Sequence, residues 1–111
     1  MLDGVSPSVE LLWWDGCPSL DRALGDLRAA MTAAGLDPER IALREVTTDE
    51  DAQRKAFAGS PTILINGLDP FAEDDVVVGL NCRVYRRSDG RLSPTPDPAE
   101  LRRALEQAVA A

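Results

Sequence analysis

The chain has 111 residues, 44% hydrophobic and 28% charged, a size and balance that fit one globular domain with a single modest core. Its 19 acidic and 12 basic side chains give a formal net charge of -7. With no Lys/Arg stripe to displace counterions, this excludes a nucleic-acid backbone as partner. No run of about 18 apolar residues is present, which excludes a membrane-spanning helix on length. Met1–Ser8 carries Asp3 and no basic segment leading into an apolar one, so it does not read as a signal peptide. Two cysteines in such a chain point to a reducing cytoplasm, where thiols are more often catalytic or metal-binding than structural.

The elements then follow in order. Val9 to Trp14 is an apolar strand, and Leu20, Ala23, Leu24, Leu27, Met31 and Ala34 recur at helical spacing behind it. Gly35 stands where a left-handed C-cap is expected, with Pro38 shortly beyond. Ile41 to Val46 alternates as a second strand. Thr47 and Glu50 have capping-box spacing and open a short second helix with a face of Ala52, Ala56 and Phe57, ended by Gly59. Ser60-Pro61-Thr62 leads into a third strand, Thr62 to Ile65, and Asn66-Gly67 is a turn signal. Leu68 to Asn81 reads as an extended loop. Cys82 to Arg86 is a fourth strand, closed by Ser88-Asp89-Gly90. Asp97-Pro98-Ala99-Glu100 caps a last helix with a face of Leu101, Ala104, Leu105, Ala108 and Val109.

The order β-α-β-α-β-β-α predicts one α/β domain over 1–111, with its core at about 9–110. Two parallel strands joined by helical crossovers, an antiparallel hairpin and a covering helix make a four-stranded mixed sheet flanked by helices.

Chemistry concentrates in Trp13-Trp14-Asp15-Gly16-Cys17-Pro18-Ser19-Leu20. Pro18 suits the first helical position, which puts Cys17 at or beside the N-cap. Unpaired N–H groups and the positive end of the helix dipole there favour a nucleophilic thiolate. Asp15 opposes this, since a nearby carboxylate raises a thiol pKa; protonated, it becomes a proton donor. Trp13 and Trp14 point to opposite faces of a strand, one into the core and the other beside Cys17. The chain has no histidine, which excludes imidazole-assisted catalysis and most zinc sites. Asp69, Glu73, Asp74 and Asp75 lack calcium-loop spacing and read as a solvated loop.

Asp15-Gly16-Cys17-Pro18, the Ser60-Pro61-Thr62 entry to the third strand and the element order together resemble the thioredoxin-like superfamily, over nearly the whole chain. With Gly79-Leu80-Asn81-Cys82-Arg83-Val84-Tyr85, the sequence is similar to small bacterial thioredoxin-like proteins, some of which carry alkylmercury-lyase names. The resemblance implies a thioredoxin-like sandwich and a cis Pro61 whose loop lies against Cys17. The family's usual second cysteine is replaced here by Leu20, so a mixed disulfide has no resolving thiol within the motif.

The leading expectation is a thiol protein working through Cys17 alone, in thiol–disulfide exchange or in capture of an electrophile or soft metal. Asp15, Ser19 and Pro61 complete the reacting site, and Trp14 and Ser60 contact the substrate. Its partners are then a small thiol, a disulfide or a soft electrophile, with no cofactor. Cys82, between Leu80 and Val84, reads as a buried, inert thiol. If the preceding loop folds back, its Cα comes within the roughly 7 Å that a disulfide needs. Mercury or organomercurial handling by Cys17 and Cys82, with Asp15 as proton donor, is then the alternative. A binding module with a protein partner and no surviving redox chemistry is the third reading.

Overall fold

The computed structural model describes residues 6–72 and 78–110. Strand β1 (Val9–Trp13) lies at the centre of a three-stranded mixed sheet. It runs parallel to β2 (Ala42–Glu45) and antiparallel to β3 (Thr62–Ile65), with Leu11 level with Leu43 and Ile63. Alternation along β1 gives the sheet two buried faces. Val9 and Leu11 join Ile63 and Ile65 beneath helices α1 (Leu20–Ala33) and α3 (Pro98–Ala110), packed with Ala23, Leu27, Met31, Leu101 and Leu105. Leu12 points the other way, into a smaller cluster with Val46, Ala52 and Phe57 under helix α2 (Asp49–Arg54). Helices therefore cover both faces.

The ends of α1 and α2 differ from expectation by a residue or two. The N-cap of α1 is Ser19, so Cys17 and Pro18 lie in the turn before the helix. Gly35 adopts the expected left-handed conformation (φ +80°), and the Leu36 N–H closes on the Met31 carbonyl at 2.8 Å. The cap of α2 is Thr48, whose hydroxyl accepts from the Asp51 N–H at 3.1 Å. This helix ends at Arg54. Ala56, expected on its buried face, is exposed and left-handed (φ +50°), while Phe57 is fully buried. In α3 the Asp97 carboxylate accepts from the Ala99 N–H at 2.9 Å, which holds it below the usual carboxylate range, and Val109 is exposed.

The fourth strand is the main correction. Among the described residues the central sheet has three strands, and β4 (Tyr85–Arg86) pairs with β5 (Leu92–Ser93) in a separate ribbon. Asn66 (φ +53°) and Gly67 (φ +79°) form a tight turn after β3, but among the described residues the chain pairs back on β3 there only at Ile65–Leu68. The segment before β4 runs alongside the chain that leads into β3. Ser60 N–H donates to Asn81 O at 2.8 Å, Arg83 N–H to Ser60 O at 2.9 Å, and Gly79 N–H to Phe57 O at 3.0 Å. Ser60 and Cys82 thereby form a single parallel bridge. Glu73, Asp74, Asp75, Val76 and Val77 lie outside the described residues, as do Met1 to Val5. Among the described residues no helix is long and apolar enough to cross a membrane.

Candidate functional site

Two free cysteines flank Ser60, where the turn after β1 faces the Ser60–Pro61 loop. The Trp14-to-Cys17 turn, closed by Cys17 N–H on Trp14 O at 3.1 Å, turns the Cys17 sulfur inward. Cys17 is only 5% exposed, and its Sγ lies 3.3 Å from the Ser60 carbonyl oxygen and 3.8 Å from Ser19 Oγ. Cys82 is bridged to Ser60 along the backbone, so both cysteines flank the same residue and each thiol shifts the other's ionisation. The Ser60–Pro61 peptide is cis, and Pro61 is fully buried.

The environment splits the two ionisations. Burial pushes the Cys17 thiol up, but the influence of Cys82 and of the Ser19 N–H and hydroxyl outweighs it, so the net shift is downward. Cys82 moves the opposite way, because its proton is held on the Cys17 sulfur; burial and the Cys17 charge add to the effect. The two thiols therefore titrate as a coupled pair, Cys17 ahead of Cys82. Ser60 Oγ is fully buried and has no hydrogen-bond partner among the described residues.

The site differs from expectation in three respects. Cys82, expected to be buried, is exposed, and the buried thiol is Cys17. In the segment Cys82-Arg83-Val84-Tyr85 the inward positions belong to Arg83 and Tyr85, each 4% exposed, while Val84 is 59% exposed. Arg83 can be buried because its charge is met. Its Nη1 pairs with Asp69 Oδ2 at 2.5 Å, its Nη2 donates to Phe71 O at 2.7 Å, and its guanidinium sits 4.5 Å from the Tyr85 ring centre. The Tyr85 hydroxyl donates to the Pro61 carbonyl, and burial pushes its pKa up. Arg83 and Tyr85 therefore tie the segment carrying Cys82 to the loop facing Cys17. Sequence reasoning missed both roles and that of Asp69; the i, i+2 spacing of Arg83 and Tyr85 was the available signal.

Second, Asp15 is exposed and is not among the groups acting on the Cys17 thiol. Third, the Trp14 indole lies on Gly16, where an added Cβ would fall 2.3 Å from its ring, and packs half-buried against the Leu12 and Phe57 cluster. Ser19 and Ser60 stand beside the sulfur as expected. A cleft of about 490 Å³ opens at the opposite end of β1, lined by Val9, Met31, Leu36 and Ile41, away from both thiols.

Exposure and ionisation now favour different cysteines, so labelling should depend on reagent size. A bulky maleimide should modify Cys82 first, whereas iodoacetamide at neutral pH should react comparatively faster at Cys17. Peptide mapping after limited labelling decides this; the same order with both reagents would contradict it. Comparisons of the chain with protein-family models, curated proteins and solved structures find no match.

Proposed function

We propose that this is a thioredoxin-like thiol protein in which Cys17 and Cys82 work as a pair, cycling between a dithiol and an intramolecular disulfide. The observation that carries this reading is that both cysteines flank Ser60, Cys17 with its Sγ 3.3 Å from the Ser60 carbonyl oxygen and Cys82 bridged to Ser60 along the backbone, while each thiol shifts the other's ionisation, Cys17 downward and Cys82 upward. The helices on both faces of a mixed sheet, and the cysteine turn after β1 facing Ser60 and Pro61, support the family resemblance. In exchange with a disulfide, the Cys17 thiolate displaces one thiolate and forms a mixed disulfide. Cys82, once its proton leaves, attacks the Cys17 sulfur and expels the second. The resolving thiol thus comes from the segment before β4, where Leu20 of the helix-start motif cannot supply one. The opposite shifts of the two thiols favour this over a binding module without chemistry.

The same pair also suits a soft metal cation or organomercurial as cargo, held between two sulfurs. Among the described residues no group of three or more Cys, Asp or Glu side chains stands ready to add ligands.

Brief oxidation with diamide should yield a monomer whose non-reducing peptide map joins the Cys17 and Cys82 peptides, with full reversal by dithiothreitol. Cys82→Ser should abolish that linkage. Dimers joined through Cys82, with Cys17 left reduced, would refute the pair.

A further inference from the structure

The thiol shifted towards ionisation is the one that solvent scarcely reaches. Attack on a disulfide needs the nucleophile in line with the S–S bond, so substituents on both sulfurs must fit around it. Cys17, 5% exposed and flanked by the Ser60 carbonyl, Ser19 and Cys82, leaves little room for a peptide disulfide. A two-oxygen oxidant little larger than water needs far less space. The site also holds what such an oxidant uses: the fully buried Ser60 hydroxyl, without a partner among the described residues, can donate to an oxygen carrying developing charge.

We infer that the oxidant Cys17 meets directly is a small hydroperoxide, with Ser60 stabilising the departing oxygen and Cys82 closing the disulfide. This rests on the Cys17–Cys82 pair proposed above. The Cys17 thiolate attacks the terminal peroxide oxygen. The O–O bond breaks, its electron pair leaves with the distal oxygen, and that oxygen takes a proton to depart as alcohol or water. Cys17 is then a sulfenic acid, oxidised by two electrons. The Cys82 thiolate attacks that sulfur, expelling hydroxide, which leaves as water with the Cys82 proton. Two equivalents of a small thiol reduce the disulfide back to the dithiol and leave as their own disulfide.

Rapid mixing of reduced protein with hydrogen peroxide, followed by quenching and peptide mapping, tests this. The expected result is a Cys17–Cys82 disulfide forming about a hundredfold faster than free cysteine is oxidised at the same pH, the size of two charge-assisted hydrogen bonds in the transition state. In Cys82→Ser, dimedone should trap a sulfenic acid at Cys17. Ser60→Ala should slow the reaction about tenfold without loss of folding stability, since the hydroxyl it removes has no partner among the described residues. Glutathione disulfide should react more slowly than peroxide. Peroxide oxidation no faster than that of free cysteine, sulfenic acid at Cys82, or faster reaction with glutathione disulfide would each overturn the inference. If diamide still forms the Cys17–Cys82 disulfide in those cases, the pair stands and only the choice of oxidant falls. If neither oxidant forms it, both fall.

Discussion

Replacing Arg83 by methionine is expected to destabilise the protein by about 3 kcal/mol or more, the usual cost of removing one partner from a buried ion pair. Methionine fills much of the same volume but leaves the Asp69 carboxylate and the Phe71 carbonyl without the guanidinium that now meets them. It also removes the cation from the Tyr85 face. The penalty comes from the stranded carboxylate, so Arg83→Met combined with Asp69→Leu should recover much of the loss. Urea denaturation of the two variants and the parent measures both effects. A single variant within about 1 kcal/mol of the parent would mean that the pair is solvated, as exposed ion pairs of that worth are.

Gly59→Ala is expected to strike the site through the backbone. Gly59 has φ +112°, and an added Cβ would fall 2.9 Å from the Arg83 nitrogen, 3.0 Å from its Cα and 2.4 Å from Asn81 Oδ1. The first two are main-chain atoms that cannot rotate aside. Strain at that φ and overpacking against the segment should together cost about 3 kcal/mol. Relief would come from moving the 81–83 chain outward, which breaks the Ser60–Asn81 and Arg83–Ser60 hydrogen bonds and carries Cys82 away. The folded variant should form the Cys17–Cys82 disulfide more slowly than the parent, and its Cys17 pKa should rise. A stable variant with parental disulfide formation would show that this contact does not place Cys82.

The elements governed by local pattern were legible in the sequence. Val9 and Leu11 against Leu12, the run from Ala23 to Met31, and Leu101 with Leu105 follow the strand and helix periods, and the structure buries them as those periods require. Helix α1 starts two residues later than its sequence pattern suggests, because Pro18 serves equally in a turn before the N-cap and at the first helical position. The placement of Cys82 departs from expectation for a different reason. Its place between apolar Leu80 and Val84 points inward by local pattern, and only contacts distant in sequence, from Arg83 to Asp69 and from Tyr85 to Pro61, reverse that choice. Its approach to Cys17 depends on where the chain after Leu68 returns to Ser60, a register that no local period encodes.

The coupling of the two thiols is tested most directly by a pH titration of protein carrying ¹³Cβ-labelled cysteine, followed by NMR. Cys17 should ionise below the ordinary thiol range and Cys82 above it, since each shift is tied to the other sulfur. As pH rises, the first proton to leave should register chiefly at Cys17 and weakly at Cys82, with Cys82 losing its own only at higher pH. In Cys82→Ala the Cys17 transition should move upward, because a donor to its thiolate is gone while its burial remains. Two independent transitions at the ordinary thiol value, with Cys17 unmoved by Cys82→Ala, would contradict the account.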